Sequence, residues 1–336
     1  MLATSWTAYT TESNLTAVNL PAGTVPSLAP FEQHRIMMNP GLLYSGTVLI
    51  WGSTWLAIRF QLGVVSPEIS LVYRFAIASL LLLVWCKARR IPPPAGWRNH
   101  SFLILLGGCL FSFNYLLFYF AAENLATGLL AVIFSTMTVM NILNGALFLR
   151  RRVEGRVVLG SGFGLTGICL VFWPEVIALD KDHNIVLTVL LGVIATYFAS
   201  LGSIISLRNQ KSGIEVISGN AFGMLYGTAL MALYALISGV HFNFDPSFGY
   251  LSSLMYLSLF GSALAFTLYL TLVGQIGPEK AAFATVLFPI VALTLSTLFE
   301  NYRWSALAGI GVLLVLVGNV IVLTNRRQFQ ALLRRL

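Results

Sequence analysis

Trp51, Trp55 and Arg59 recur every fourth residue in an otherwise apolar stretch, so a helix carries all three on one face. Trp51 falls near the middle of that stretch, where an indole N–H turned toward lipid finds no partner. A ring turned inward could stack on an aromatic or cationic solute, and the alternative is plain core packing. Arg59 stands near the outer helix end, as a gate or as a charge snorkelling to the interface. Arg74 lies deeper in the next stretch. A charge there costs about 3 kcal/mol even on the lenient insertion scale, so Arg74 is expected to face water or a partner. Its two readings are an anion contact and a gate pair with Glu123.

Tyr115, Tyr119 and Glu123 form a second stripe at the same spacing, with Asn114 beside it. Glu123 is either an interfacial carboxylate or a coupling group whose pKa rises if it faces a cavity. Ser135, Thr138, Asn141 and Asn144 make a slowly turning polar stripe. An Asn among apolar residues needs a hydrogen-bond partner, which points to cavity lining or to interhelical bonding. Thr138 and Asn141 are the cavity candidates, with Asn144 open to either. Later in the chain, Tyr197, Phe266 and Tyr269 are the matching mid-span candidates, and Pro289 could free a backbone carbonyl there. Ser200 and Ser262 are weaker, because a lone Ser in an apolar helix commonly bonds its own backbone.

These residues need helices that cross a bilayer. The chain is 57% hydrophobic and only 10% charged, far from the quarter of charged residues usual in soluble domains. Apolar windows between charged or Pro/Gly breaks predict ten spans, at 42–60, 69–86, 101–121, 126–149, 156–173, 185–207, 214–239, 249–273, 279–299 and 304–324. With a cytoplasmic amino terminus, 16 of the 20 basic residues fall inside, and only Lys181 and Arg303 fall in outside loops. That split obeys the positive-inside rule and explains the net charge of +8 without nucleic acid. Both termini are then cytoplasmic. Residues 1–40 form a polar tail without a signal-peptide pattern, either disordered or an over-extended start, with Met37 and Met38 just before the first span. Residues 326–336 form a basic tail.

The spans fall into two halves, 41–173 and 184–325. A five-span unit has an odd number of crossings, so its duplicate enters the membrane inverted. The fold class expected is therefore all-α integral membrane, with ten transmembrane helices in two inverted five-helix repeats. A shift of 151 residues brings Ala131 onto Ala282, Leu147-Phe148 onto Leu298-Phe299, Gly160 onto Gly311 and Gly167 onto Gly318. It also brings Thr138 onto Pro289. Gly160, Gly164 and Gly167, with Gly309, Gly311 and Gly318, are spaced for close helix contact and read as scaffold.

Other classes find less support. Cys86, Cys109 and Cys169 lie in apolar stretches without metal spacing, and His34, His100, His183 and His241 fall in the tail or in loops. Asp180, Asp182 and Asp245 lie in outer loops. No metal, cofactor or catalytic residue is expected, and no phosphate-binding loop is present. A non-transporting scaffold or sensor is the remaining alternative. It requires the mid-span polar residues to point at different neighbours.

The segment from Trp51 to Arg59 (WGSTWLAIR), Tyr73-Arg74-Phe75, Ala122-Glu123-Asn124, Gly128 to Val132, Leu287-Phe288-Pro289 and Leu298-Phe299-Glu300 occur in an order similar to EamA-type permeases of the drug/metabolite transporter superfamily. The likeness runs from about Gly41 to Thr324. It implies a ten-helix bacterial inner-membrane protein, monomer or homodimer in the lipid bilayer. It also implies a central cavity and export of small molecules such as amino acids, related metabolites or toxic compounds. Two departures stand out. Ser135 to Thr138 occupies the place of a common Pro, and Arg150-Arg151-Arg152 occupies that of a common Glu which Glu300 keeps in the second half.

Overall fold

Prolines begin three of the helices and left-handed residues end several, so the boundaries follow from backbone chemistry. The computed structural model describes residues 38–149, 155–177 and 184–323. Its helices are α1 (Pro40–Arg59), α2 (Pro67–Ala88), α3 (Trp97–Ala122), α4 (Thr127–Ser135 and Met137–Leu149) and α5 (Gly155–Ile177). They continue as α6 (Asn184–Lys211), α7 (Val216–Ile237), α8 (Phe248–Ile276), α9 (Pro278–Ala281 and Phe283–Phe299) and α10 (Ala306–Leu323). Pro40, Pro67 and Pro278 open α1, α2 and α9, where a missing N–H costs nothing. Gly213 and Gly239 close α6 and α7 at φ +82° and +70°, and Arg90 closes α2 at φ 55°.

The protein is all-helical among the described residues. Among the described residues seven helices are long and apolar enough to cross a membrane, and three shorter apolar helices run over Val158–Val171, Leu287–Phe299 and Ala306–Ile321. Leu49, Leu80, Ile237 and Leu298 are more than 60% exposed, an apolar outer surface suited to lipid. The 1–36 stretch, the Arg150-Arg151-Arg152 turn, Asp180 to His183 and the 326–336 tail lie outside the described residues. One expectation needs correcting. His100 is not in a loop but in the first turns of α3, half-buried, with Nδ1 2.7 Å from Tyr226 OH and Nε2 2.9 Å from the Pro94 carbonyl.

α5 and α10 meet through their glycines. A methyl on Gly167 would stand 2.5 Å from the Gly311 carbonyl oxygen, and one on Gly318 would stand 2.5 Å from that of Gly160. The contacts run antiparallel. Because the 151-residue shift relates Gly160 to Gly311 and Gly167 to Gly318, the equivalent helices of the two halves oppose one another. Gly309 takes no part, having open space where a side chain would go.

α4 and α9 are likewise antiparallel. Glu300 Oε2 accepts from the Thr127 backbone N–H at 3.0 Å, from Thr127 Oγ1 at 3.0 Å and from Ser296 Oγ. Gly128 N–H donates to Ser296 Oγ at 2.9 Å. A carboxylate thus meets the unsatisfied N–H groups and positive dipole end of α4, the arrangement a helix N-terminus favours. Glu300→Ala is expected to lower unfolding stability by about 2 kcal/mol, since charge-assisted bonds are lost and donors stranded. Thermal unfolding in detergent would read the change, with Thr127→Val giving a smaller loss.

The centres of α3 and α8 are not α-helical. Gly107–Phe113 and Leu257–Leu264 form wider π-helical turns, at positions that the 151-residue shift superposes within a residue. Such turns re-aim the side chains that follow and commonly border functional sites.

Candidate functional site

A cavity with about 510 Å³ of empty space, its mouth included, opens where both halves meet. Its walls come from six helices. α1 contributes Trp51, Thr54, Trp55 and Ile58, and α3 contributes Leu110, Asn114, Tyr115 and Phe118. α4 adds Phe134 and Met137, α6 Ala199, α8 Phe266 and Tyr269, and α9 Phe288.

The four-residue spacing of α1 turns both indoles inward. Trp51 donates from Nε1 to the Gly261 carbonyl at 3.0 Å, which the π turn of α8 presents. Its ring centroid lies 4.8 Å from Phe266, 5.0 Å from Tyr269 and 5.8 Å from Phe288. Trp55 sits 5.2 Å from Phe118 and 5.8 Å from Phe134. Edge and tilted contacts of this kind hold an aromatic box with its faces open to an apolar or aromatic guest.

Polar groups are few. Thr54 Oγ1 donates to the Trp51 carbonyl at 2.8 Å. Asn114 Nδ2 donates to the Ala195 carbonyl at 2.7 Å, which leaves Oδ1 as an acceptor. Tyr269 OH and Asn141 Oδ1 are buried without a hydrogen-bond partner among the described residues.

Arg74 is 1% exposed and stands behind this wall. Nε donates to Ser262 Oγ at 2.8 Å and Nη1 to Tyr119 OH at 3.4 Å. Cζ lies 4.5 Å from the Tyr115 ring centroid and 5.3 Å from that of Phe75. The expected gate pair does not form. Glu123 is exposed beyond the end of α3, its carboxyl pushed up by partial burial and by the Glu68 carboxylate. No ion pair joins it to Arg74.

Of the ten residues expected at a substrate site, Trp51, Trp55, Asn114, Phe266 and Tyr269 line the cavity. Arg74 and Tyr119 are bonded to each other behind it. Thr138 and Asn141 sit in the α4–α9 seam. There Thr138 Oγ1 donates to the Ala282 carbonyl at 3.3 Å, and Asn141 Nδ2 donates to that of Pro278 at 3.3 Å. Tyr197 is 41% exposed on the outside of α6 and does not reach the cavity. Arg59 is exposed at the end of α1, and Pro289 is buried inside α9. Phe118, Phe134, Met137 and Phe288 line the cavity without a spacing signal that marks them. Thr54 and Ile58 were not among the expected residues, and their place beside the two indoles on α1 is the signal that marks them. Ser262, a weak candidate alone, holds Arg74, and Ser200 accepts from Asn144 Nδ2 at 2.8 Å. Among the described residues no His, Cys, Asp or Glu cluster could hold a metal.

Apolar helices, an apolar exterior and a cavity between inverted halves define a multi-pass membrane protein built as a transporter. The chain belongs to the EamA-like transporter family, which it matches over residues 40–173 and 186–324. It is 28% identical over 285 residues to the uncharacterized inner membrane transporter YedA of Escherichia coli K12, covering 80% of this chain and 87% of YedA. It is 23% identical over 292 residues to protein PagO of Salmonella typhimurium, covering 85% and 93%. A solved crystal structure shares the fold at a TM-score of 0.63 and 17% identity, over 87% of this chain and 98% of that one. The protein is a membrane transporter.

Proposed function

We propose that the protein is a secondary transporter that exports small organic metabolites by exposing its central cavity alternately to each side of a bacterial inner membrane. The observation that carries this reading is the aromatic box. Trp51 from the first half meets Phe266, Tyr269 and Phe288 from the second, and Trp55 lines the same cavity, so a guest between them touches both halves. No nucleotide-binding loop appears in the sequence, which leaves facilitated or ion-driven movement. The halves are 41–173 and 184–325, and both termini are cytoplasmic, as the 16-to-2 split of basic residues favours. The unit is a monomer or homodimer. The substrate contacts are Trp51, Trp55, Asn114, Phe266 and Tyr269, while Thr138 and Asn141 border the closing seam of α4 and α9.

Labelled-metabolite accumulation in cells expressing wild type and Trp55→Ala tests the reading. A compound depleted by wild type is expected to be retained by the variant, with export down about tenfold at equal membrane level. Equal export by both would remove the box from the transport path. Depletion of nothing across a broad panel would favour a scaffold or sensor.

A further inference from the structure

We propose that the cargo is an organic monocarboxylate with an apolar or aromatic body and no cationic group, its carboxylate meeting the Arg74 guanidinium. This rests on the transporter reading and names the chemistry of that same cavity.

A guanidinium carries five N–H donors and stays charged at any accessible pH. At Arg74 the hydrogen-bond acceptors include Ser262 Oγ and Tyr119 OH, and the rings of Tyr115 and Phe75 pack against the guanidinium. All of these are neutral. No ion pair to Arg74 occurs among the described residues, although the side chain is 1% exposed. Buried cations are ordinarily compensated, because desolvating one without a counter-charge is costly. The counter-charge missing from the chain is supplied by the cargo.

The geometry puts this cation directly behind the cavity wall. Tyr115, whose ring lies under Cζ, lines the cavity. A methyl on Gly261 would come 3.4 Å from Arg74 Nη2 and 2.8 Å from Thr54 Cγ2, and Thr54 also lines the cavity. Nη2, Gly261 and Thr54 therefore converge just behind the lining, with the Thr54 and Tyr115 side chains between the guanidinium and the cavity. Contact with the cargo requires Thr54 or Tyr115 to change rotamer and open that edge.

Selectivity follows from what the wall offers. Among the described residues no Asp or Glu lines the cavity. An ammonium group would find only neutral acceptors, such as Asn114 Oδ1 and Thr54 Oγ1, so amines and zwitterions give up hydration without a counter-charge. A carboxylate gains a two-pronged, charge-assisted contact with Arg74. A phosphate dianion would keep one charge unmatched.

Binding to the purified full-length protein in lipid nanodiscs tests this with four probes that share one ring. These are 3-phenylpropanoate, its primary amide, phenylalanine and phenethylamine. Wild type is expected to bind the carboxylate roughly tenfold or more tightly than the amide, with the zwitterion and the amine weaker still. Arg74→Gln should erase that preference while changing amide affinity less than about threefold, and Arg74→Lys should retain it in part. Equal wild-type affinities for carboxylate and amide would overturn the proposal, as would a preference that survives Arg74→Gln. If Arg74→Gln does not fold, the wild-type comparison alone decides. Movement of the amide or amine, but not the carboxylate, in proteoliposomes would sink this inference and leave the transporter reading standing. No movement of these or of any compound in a wide panel would sink both.

Discussion

Trp51→Ala is expected to lower transport at least about a hundredfold and to cost roughly 4 kcal/mol of stability. The ring touches Phe266, Tyr269 and Phe288, and its N–H satisfies the Gly261 carbonyl that the π turn of α8 turns inward. Truncation empties the centre of the box and strands that carbonyl together. Trp51→Phe separates the two losses. It keeps most of the ring contacts and removes the hydrogen bond, so transport should fall several-fold with a stability cost of about 1 kcal/mol. Substrate flux in proteoliposomes and thermal unfolding read both quantities on one preparation. Wild-type flux from Trp51→Ala at normal protein level would place the path elsewhere.

Gly167→Leu is the second large effect, and it acts far from the cavity. Even a methyl at Gly167 would press to 2.5 Å of the Gly311 oxygen and 2.8 Å of the Val315 nitrogen, both backbone atoms that cannot swing aside. α5 and α10 must separate, at a cost of about 3 kcal/mol or more by the standard of overpacked cores. The expected result is loss of folded protein from the membrane fraction, with residual protein melting early. Gly309→Ala on the facing helix meets open space and should change stability by no more than about 0.5 kcal/mol. Similar behaviour of both variants would dissolve the close-packing account.

The sequence made the helices legible because their causes are local. Apolar length, proline starts and glycine stops are written in consecutive residues, and the expected spans fall within a few residues of the observed ones. The inverted repeat was legible as well, since α5 and α10 carry their contact glycines at matching positions. Half of the expected site residues reach the cavity, and the misses have physical reasons. Tyr197 is polar and mid-span, but nothing in a single helix distinguishes its outward face from its inward one. Thr138 and Asn141 were separated from lipid correctly, yet they satisfy backbone carbonyls of α9 rather than line the cavity. Arg74 was too costly to face lipid and is buried, but hydroxyls and aromatic rings surround it where a pair with Glu123 was one expectation. Phe134 and Phe288, stacked at 6.1 Å across the two halves, looked like any other apolar residue until the halves were brought together. The π turns in α3 and α8 carry glycines, Gly107, Gly108 and Gly261, but glycine is so frequent in the other spans that it does not single these turns out.

The bond set at Glu300 has one further consequence. In a perfect duplication the two access states would be degenerate, each half-populated at rest, because exchanging the halves turns one into the other. Here the degeneracy is lifted at a single mouth. The 151-residue shift carries Glu300 to Leu149, Ser296 to Gly145 and Thr127 to Pro278, so the three equivalent positions offer no carboxylate, no hydroxyl and no backbone N–H with which to build the same latch. A latch contributing about 2 kcal/mol tilts the resting populations roughly thirtyfold toward the state that keeps it. On the alternating-access reading proposed above, each cycle then begins from a defined side.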